Sequence, residues 1–341
     1  MDRDTFIAGL HDLPARCILK DEAELRPYEC DGLSAYRQLP WLVLLPETVE
    51  QVQSVLRHCH AHKVPVVARG AGTGLSGGAL PLDNGVLLSL AKFNRILDID
   101  LPNRLARVQP GVRNLAITEA VAAQGFYYAP DPSSQIACSI GGNVAENSGG
   151  VHCLKYGLTV HNIAELKLIT IEGELLTLGS PSLDSPGYDL LALLTGSEGL
   201  LGIIVEVTVR LLPAPEQAQV VLAAFDSIAA AGQAVANIIS QGLLPAGLEL
   251  MDTLAVRAVE DFVHAGYPVD AAAILLCELD GDPYEVDVQI EQVTRLLQEC
   301  GANEVRRARD EAERLRFWAG RKAAFPAVGR LSPDYYCMDG T

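Results

Sequence analysis

A glycine-rich stretch in the amino-terminal third of the chain constrains the fold more than any other segment. Residues 64–68 are mostly apolar and typical of a strand, and five of the nine residues 70–78 are glycine. A loop with so few side chains exposes many backbone N–H groups, and such a concave run of donors suits an anion such as a phosphate or a pyrophosphate. We therefore expect a phosphate-binding loop that lies between two strands.

Two familiar phosphate-binding motifs fit this stretch poorly. Residues 72–77 spell G-x-G-x-x-G, but the nicotinamide-binding fingerprint needs a helix that opens at the loop. Pro81 and the Asp-Asn-Gly run at 83–85 predict a turn instead, and the mostly apolar residues 86–90 predict a strand. No Lys-Ser or Lys-Thr pair follows the glycines, so a Walker A loop is excluded as well.

Length and charge narrow the range of partners. The 341 residues are enough for two domains with cores of their own, and an apolar share of 49% is that of an ordinary globular protein. A formal net charge of −17 repels phosphate groups, so we expect neither nucleic acid nor an anionic membrane surface as a direct partner. The sequence shows neither a signal peptide nor an apolar run that could span a bilayer, which predicts a cytoplasmic protein without direct membrane insertion.

The cysteines and histidines predict no metal site. The eight cysteines are scattered without a C-x-x-C pair, which favours reduced thiols and places any iron–sulfur centre on another chain. His58 and His62 are spaced i,i+4 on a helix predicted over residues 49–63, as a metal-binding pair would be. The alternative is a solvated helix end, where histidines interact favourably with the helix dipole. We favour this alternative, because the segment offers no third ligand.

Two more glycine-rich stretches follow. Residues 139–150 contain two Gly-Gly pairs among small and amide side chains, after a Pro-Asp-Pro-Ser-Ser run at 130–134, and residues 195–202 contain three further glycines. Each stretch could be an ordinary surface loop when taken alone. Three such loops within one region instead predict a single elongated ligand, of the size of a dinucleotide.

The order of elements predicts an α+β fold with two domains. Hairpins are predicted at 96–108 and 163–178, and a helix at 114–123 ends at Gly125, so strands and helices do not alternate strictly. The Pro-Ala-Pro run at 213–215 predicts the domain boundary. The second domain combines strands and helices without glycine loops, which favours a substrate-capping role.

A predicted helix that begins after Asp310 carries the most specific side chains of this second domain. Arg314, Trp318 and Arg321 fall on one face, and Pro326 is expected to end the helix. A guanidinium beside an aromatic ring suits a carboxylate substrate, which it can bind through two parallel hydrogen bonds. An exposed helix with Trp318 in the core is the other interpretation, and the residues alone favour it.

Taken together, these segments resemble a known family. Residues 69–78, 130–147 and 196–202 resemble motifs of the FAD-linked oxidases with the vanillyl-alcohol-oxidase fold, which carry a PCMH-type FAD-binding domain. Within that family the chain is similar to the D-lactate dehydrogenase and glycolate oxidase branch, in particular to the FAD-binding catalytic subunits of bacterial glycolate oxidases. The segments that carry this closer likeness are residues 28–36, 152–161 and 317–322.

The resemblance implies a fold and a cofactor. It implies a lead-in at residues 1–37, a PCMH-type FAD-binding domain of two α/β subdomains at 38–215, and an incomplete cap domain of antiparallel sheet and helices at 216–341. FAD is expected to be non-covalent, because Thr73 stands where covalent members carry a histidine. The residues implied to bind FAD are Arg69, Gly70, Ala71, Gly72, Thr73, Gly74, Leu75, Ser76, Gly77, Pro130, Asp131, Ser133, Ser134, Gly141, Gly142, Asn143, Ala145, Gly149, Gly199 and Ile204.

The resemblance also implies an activity. It implies oxidation of a 2-hydroxy acid, glycolate to glyoxylate or D-lactate to pyruvate, with Arg321 binding the substrate carboxylate while a hydride passes to flavin N5. The expected partners are other subunits of a glycolate oxidase complex, including an iron–sulfur subunit, through which the protein associates with the membrane. Relatives continue into two histidine motifs that supply a metal site and the catalytic base, and neither motif occurs here. We therefore expect an amino-terminal fragment, and a catalytically incomplete FAD-binding or electron-transfer module is the alternative function.

Overall fold

The computed structural model describes residues 2–182, 187–332 and 338. The cysteines in this part of the chain are free thiols, as predicted, and Cys337 lies outside the described residues. No helix in the described part combines the length and the apolar character needed to cross a bilayer.

The described residues form two compact units. Unit 1 comprises residues 2–150 and 158–213, and unit 2 comprises residues 151–157 and 214–332. The short segment 151–157 therefore folds with residues that follow it by more than fifty positions, although both its neighbours in sequence belong to unit 1.

The strands, in chain order, are β1 (Ile18–Leu19), β2 (Leu42–Leu44), β3 (Val66–Arg69), β4 (Val86–Ser89), β5 (Ile96–Asp100), β6 (Leu105–Val108), β7 (Phe126–Tyr127), β8 (Ile163–Ile169), β9 (Leu175–Gly179), β10 (Ile203–Arg210), β11 (Leu212–Pro213), β12 (Gln217–Phe225), β13 (Gly247–Asp252), β14 (Ala273–Gly281) and β15 (Glu304–Arg307). The α-helices are α1 (Arg3–Ala8), α2 (Glu22–Leu25), α3 (Val49–His62), α4 (Asn114–Val121), α5 (Ile140–Glu146), α6 (Cys153–Tyr156), α7 (Leu190–Leu194), α8 (Ile228–Ser240), α9 (Thr253–Val263), α10 (Pro283–Glu299), α11 (Glu311–Lys322) and α12 (Ala324–Leu331).

A four-stranded sheet in unit 1 carries the glycine-rich loop. Its order is β1-β2-β4-β3, with β2, β3 and β4 parallel and β1 antiparallel to β2. The segment 70–85 connects β3 to its neighbour β4, and no helix forms within it. The predictions of a loop between two strands and of no helix opening at the glycines are both confirmed.

Helix α3 packs on this sheet and has clear local causes. The Thr48 side chain accepts a hydrogen bond from the backbone of Gln51 at the start, and Lys63 ends the helix in the left-handed conformation. Val52 and Leu56 are fully buried in the core that α3 forms with β2 and β4. Burying a side chain of this size stabilises the fold by about 2 kcal/mol.

A five-stranded antiparallel sheet forms the other core of unit 1, in the order β5-β6-β10-β8-β9. The two predicted hairpins are its β5–β6 and β8–β9 pairs. Gly173, with a φ of 79°, forms the turn of the second hairpin, where a side chain would strain the backbone. Helices α4 and α5 pack against this sheet through buried aliphatic side chains such as Ile117 and Val144.

Helix α5 contradicts one interpretation of the sequence. Residues 140–146, which we expected to lie in a glycine-rich loop, form a helix that ends at Asn147 in the left-handed conformation. Gly141 lies inside this helix, and a Cβ atom on it would lie 2.5 Å from the Cβ atom of Pro110. Close packing against a neighbouring segment therefore outweighs the weak helix propensity of glycine.

Unit 2 is the predicted sandwich of strands and helices. Its antiparallel sheet has the order β13-β14-β12-β15. Helices α8 and α10 share a core with one face of the sheet, and α9, α11 and α12 share a core with the other face. Because both faces are covered, every residue of β14 except the last is buried.

Two details of unit 2 differ from the sequence predictions. Helix α9, which begins after the capping residue Asp252, was not predicted. Helix α11 ends at Lys322, and Pro326 lies in the first turn of the next helix, α12. The prediction that Pro326 ends α11 is wrong, because a proline in a first turn needs no partner for a backbone N–H and so starts a helix easily.

Candidate functional site

The glycine loop of residues 70–78 is partly filled by the protein's own side chains. A Cβ atom on Gly70 would collide with the Ser139 hydroxyl, and one on Gly72 would collide with the Arg69 guanidinium. Gly72 also has a φ of 71°, which disfavours any side chain. These two glycines are therefore explained by internal packing, without a ligand.

Gly74 and Gly77 are different, because they have room around them. The nearest atom to a Cβ on Gly74 is Oε1 of Glu146 at 3.5 Å, and the nearest to one on Gly77 is a methyl group of Leu33 at 3.7 Å. Both distances are ordinary van der Waals contacts. Gly77 has a φ of 85°, which by itself favours glycine, whereas neither close packing nor a positive φ accounts for Gly74. The missing side chain at Gly74 therefore leaves backbone groups accessible to a ligand.

Arg69, the last residue of β3, holds the loop from inside. Its Nη1 atom donates to the backbone oxygens of Tyr28 and Ala79, each at 3.5 Å, and its guanidinium lies 5.6 Å from the centre of the Tyr28 ring. Burial lowers the pKa of Arg69, and the nearby Asp31 opposes this shift. The contacts that the structure shows for Arg69 thus stabilise the loop.

The lead-in segment before β2 forms one wall of the loop. A Cβ atom on Gly32 would lie 2.6 Å from the carbonyl oxygen of Gly74 and 2.7 Å from that of Thr73. Its neighbour Asp31 is buried, and while Oδ1 accepts from the Leu33 backbone at 2.9 Å, Oδ2 has no partner among the described residues. Sequence reasoning missed this wall, for which the Asp-Gly pair was the only signal.

Two carboxylates face the loop from the other two glycine stretches. A Cβ atom on Gly78 would lie 2.8 Å from Oε2 of Glu198 and 3.1 Å from Oε1 of Glu146. Burial raises the pKa of Glu146, the charges of Glu198 and Asp31 raise it further, and a hydrogen bond from Ser76 acts in the opposite direction. An anion in this loop therefore has to be held by backbone N–H groups against neighbouring negative charge.

The structure brings the three glycine stretches together, as expected for one long ligand. The backbone N–H groups of Gly196 and Glu198 donate to the carbonyls of Val144 and Ala145 at the end of α5, each at 2.9 Å. A Cβ atom on Gly199 would lie 3.2 Å from Ala68 in β3. The stretch 195–202 thus lies against both the second stretch and the strand that leads into the first.

A cavity of about 440 Å³ opens at the start of the loop, a volume within the range of small-molecule sites. Its lining includes Gly70, Ala71, Asn94, Gly111 and Ser139. The Ser139 hydroxyl is buried and has no hydrogen-bond partner among the described residues. Because a buried hydroxyl without a partner is costly, this site fits a ligand with polar groups, such as a dinucleotide cofactor.

Other residues predicted to contact the cofactor have mainly structural contacts. Asn143 donates to the side chain of Asn114 at 2.8 Å, and Asn114 donates to the carbonyl of Pro130 at 2.9 Å, so this pair ties α5 to the segment 130–134. A Cβ atom on Gly150 would lie 2.5 Å from the Asp131 carbonyl oxygen. Ile204 lies in β10, paired with Leu168 of β8.

His62 is exposed, as predicted for a solvated helix end, but His58 is partly buried against the Phe6 ring, so that prediction is wrong for His58. Nε2 of His58 lies 3.0 Å from the carbonyl oxygen of Phe6, and the two histidine rings are 4.6 Å apart. Burial lowers the pKa of His58. Within the described residues, the side chains do not form a cluster of three metal ligands here or elsewhere.

In unit 2, the predicted face of α11 lies on a buried carboxylate. Arg314 Nη1 donates to Oε2 of Glu278 at 2.9 Å, Trp318 Nε1 donates to the same oxygen, and His152 Nε2 lies 3.2 Å from Oε1. Glu278, in β14, is 3% exposed. Burial alone would raise the pKa of Glu278, but His152, Arg314 and Trp318 together hold it below its ordinary value.

Arg321, the residue predicted to bind a substrate carboxylate, also has a carboxylate of the protein beside it. Its Nε atom donates to Oε2 of Glu249 in β13 at 2.7 Å, and both side chains are about three-quarters buried. Asp280, two residues after Glu278, bonds to Lys155 and to Tyr156 at 2.8 Å, which fixes α6 to β14. Sequence reasoning missed all three carboxylates, although acidic residues in an otherwise apolar strand were a signal for β14.

Models of two protein families match different parts of this chain. A model described as "FAD binding domain" matches residues 40–179, and a model described as "FAD linked oxidases, C-terminal domain" matches residues 214–341. Together they span both the glycine-rich region and the strands and helix that carry Glu249, Glu278 and Arg321. The chain therefore carries an FAD-binding domain.

The chain is similar to curated proteins along most of its length. Glycolate oxidase subunit GlcD of Escherichia coli is 65% identical over 342 residues, which cover 100% of this chain and 68% of the relative. Glycolate oxidase subunit GlcD of Bacillus subtilis is 38% identical, with 92% of this chain and 67% of the relative covered. D-Lactate dehydrogenase of Anaerostipes hadrus is 34% identical, with 92% and 68% covered.

Solved structures support the fold. The 4-ethylphenol oxidase from Gulosibacter chungangensis superimposes with a TM-score of 0.81 at 19% identity, covering 97% of this chain and 72% of that one. p-Cresol methylhydroxylase gives a TM-score of 0.77 at 20% identity, covering 92% and 68%. The expected α+β fold of the PCMH type is thereby confirmed. Glycolate oxidase subunit GlcD of Escherichia coli is 65% identical over the whole of this chain. This chain therefore belongs to the FAD-linked oxidases.

Proposed function

We propose that the protein is an FAD-dependent dehydrogenase that oxidises a small 2-hydroxy acid, glycolate to glyoxylate and also D-lactate to pyruvate. The observation that carries the proposal is Arg321. Its guanidinium is about three-quarters buried and donates through Nε, and no acceptor among the described residues is bonded to Nη1 or Nη2. The paired Nη1 and Nη2 donors are the geometry that binds a carboxylate through two parallel hydrogen bonds.

Unit 1 contains the residues that would hold FAD. We assign the backbone of residues 70–77 to the pyrophosphate, with Gly74 and Gly77 as the points of closest approach. The buried Ser139 hydroxyl is the donor that would otherwise lack a partner. The segments 130–134 and 199–204 are assigned to the rest of the cofactor. Thr73 offers a hydroxyl and not an imidazole, so the flavin is held without a covalent bond.

Arg321 has a binding and orienting role in this proposal. When bound, FAD supplies the acceptor for the hydrogen and the electron pair that leave C2 of the hydroxy acid. Fixing the carboxylate at Nη1 and Nη2 restricts the direction in which C2 points, and such positioning is a large part of what an enzyme contributes to a two-reactant step. The ion pair with Glu249 keeps the guanidinium in one orientation before the substrate arrives.

The relatives also suggest partners. The Escherichia coli and Bacillus subtilis relatives are named as subunits of a glycolate oxidase, so a protein 65% identical to one of them has a reason to assemble with other chains. We propose that those chains include an iron–sulfur subunit that accepts the electrons and brings the assembly to the membrane. The scattered free thiols of this chain are consistent with such a centre lying elsewhere.

Anaerobic flavin reduction tests the proposal. The purified protein is expected to be yellow, and its flavin absorbance should bleach when glycolate or D-lactate is added without oxygen. A flavin that keeps its colour with both acids would support a non-catalytic FAD-binding module, and a colourless protein that cannot take up FAD would refute both functions. Acid precipitation should release the flavin into the supernatant, whereas flavin retained in the pellet would contradict non-covalent binding.

A further inference from the structure

The side chains around Arg321 bear on which acids it can accept. In the β13–β14 pairing, Gly247 lies opposite Glu278 and Glu249 lies opposite Leu276. Opposed residues point to the same face of a sheet, so Glu249 and Glu278 share the face on which α11 packs. The fit is close at Gly247, where a Cβ atom would lie 2.9 Å from the Trp318 ring. Two carboxylates of the sheet therefore lie under one face of α11.

The negative charges of Glu278 and Glu249 are offset by different numbers of neighbouring groups. Glu278 is 3% exposed and is shared by Arg314, His152 and Trp318, so its charge is offset from several sides. The ion pair of Glu249 is with Arg321 alone among the described pairs, and both side chains keep about a quarter of their surface exposed. The single positive charge of Arg321 is thus already offset before a substrate binds.

Beside this ion pair, Arg321 can still bind a ligand with one carboxylate, but Glu249 disfavours a ligand with two. Because Nε of Arg321 donates to Glu249, its Nη1 and Nη2 atoms are left to bind one ligand carboxylate through two parallel hydrogen bonds. A ligand with a second carboxylate on the same carbon would bring that group close to Glu249, where like charges repel strongly in a partly desolvated site. A repulsive contact that disfavours only the wrong ligand is an effective source of selectivity.

We propose that Glu249 is a specificity-determining residue that restricts Arg321 to 2-hydroxy acids with a single carboxylate. This inference rests on the proposed function, because it takes Arg321 as the carboxylate-binding residue. The substrate class that follows is that of small monocarboxylates such as glycolate and D-lactate. Tartronate, which differs from D-lactate in carrying a second carboxylate in place of the methyl group, should be rejected.

Equilibrium binding of two probes that cannot be oxidised tests the inference apart from turnover. Propionate and malonate have no hydroxyl group and differ in one carboxylate, and their Kd values are measured by calorimetry on the FAD-loaded protein. Glu249→Gln should improve malonate binding about tenfold more than propionate binding, since it removes the repelling charge but keeps an acceptor for Nε. Glu249→Asp should keep the preference of the unmodified protein.

A matched control separates local from general charge effects. Asp287 lies in the same unit, is exposed, and pairs with Arg307 at 3.3 Å. Asp287→Asn removes the same single charge and should leave both Kd values unchanged. Equal improvement of both probes in Glu249→Gln, or the same change of preference in Asp287→Asn, would overturn the inference.

Propionate binding in Arg321→Ala distinguishes failure of the proposed function from failure of the inference about Glu249. Arg321→Ala should weaken propionate binding on the order of a hundredfold, because it removes a bidentate pair with a charged group. If propionate binding is unchanged in Arg321→Ala, the assignment of Arg321 fails and the inference about Glu249 fails with it. If Arg321→Ala weakens propionate but Glu249→Gln leaves the malonate-to-propionate ratio as it was, only the inference fails.

Discussion

The two units build their candidate sites from different parts of the chain. In unit 1 the site is made mainly of backbone, and its glycines lie in three short stretches between residues 70 and 202. In unit 2 the site is made of side chains from distant positions: Glu249 and Arg321 are 72 residues apart, and His152 and Glu278 are 126 apart. A backbone site requires glycine at many neighbouring positions and so leaves a local signature, whereas a side-chain site requires one residue at each of several separate positions.

The largest effect that this comparison predicts is on the stability of unit 2. Glu278→Ala should lower the free energy of unfolding by about 3–5 kcal/mol, because it leaves the largely buried Arg314 and His152 without their shared carboxylate. Trp318 donates to the same carboxylate, so its fluorescence reports the change when Trp41 is replaced by phenylalanine. FAD content should not change. Loss of FAD with unchanged unfolding would contradict the separation of the two sites.

The same carboxylate predicts a dependence on pH. The pKa of Glu278 is held below the ordinary value of 4.5, so its contribution is present above that pH and is lost as the pH falls through the lowered value. Glu278→Gln keeps an acceptor for Trp318 and should destabilise less than Glu278→Ala. Its deficit should be full at pH 7 and shrink below about pH 4. A deficit independent of pH would show that the charge of Glu278 is not what stabilises unit 2.

The next effect concerns the glycines of unit 1, which the structure divides into two kinds. Gly72→Ala introduces strain of about 1–3 kcal/mol at a positive φ and a collision with Arg69, so it should lower both the melting temperature and the FAD affinity. Gly74→Ala has room for its methyl group, so it should keep the melting temperature of the apoprotein and weaken FAD alone. Calorimetry and FAD titration measure the two quantities. Wild-type FAD affinity in Gly74→Ala would contradict the contact assigned to Gly74.

The smallest effect concerns Glu146, beside the same loop. Its pKa is raised, so it costs stability above the ordinary value of 4.5, where the unfolded state has already released the proton and the folded state resists doing so. Glu146→Gln should raise the melting temperature slightly at pH 7 and leave it unchanged at pH 4. It should also tighten FAD binding, because a carboxylate no longer faces the pyrophosphate. Weaker FAD binding would mean that Glu146 itself contacts the cofactor.

The parts of the fold that could be predicted have local causes. The capped helix α3, the two hairpins and the loop between β3 and β4 depend on signals within a few residues, such as Thr48 and Gly173. The stretch 140–146 could not be predicted as a helix, because its glycines indicate a loop and the contact that requires Gly141 is with the distant Pro110. Internal contacts of the same kind explain Gly70 and Gly72, which the sequence pattern alone assigns to a ligand.

The site in unit 2 was less predictable for a related reason. The face of Arg314, Trp318 and Arg321 follows from helical spacing and is confirmed. The carboxylates beneath it depend on the register of β13 and β14, which no short sequence pattern reveals. The grouping of residues 151–157 with unit 2 depends on the same strand, because His152 and Lys155 bond to Glu278 and Asp280.

Anaerobic reduction of bound flavin by glycolate in Arg321→Ala separates cofactor binding from substrate binding. The proposed function places the cofactor in unit 1 and the substrate carboxylate at Arg321. It predicts that the variant keeps its full FAD content but needs on the order of a hundredfold more glycolate for half-maximal reduction, with Arg321→Lys intermediate because lysine keeps the charge without the paired donors. Half-maximal reduction at the wild-type glycolate concentration, or a variant purified without flavin, would contradict it.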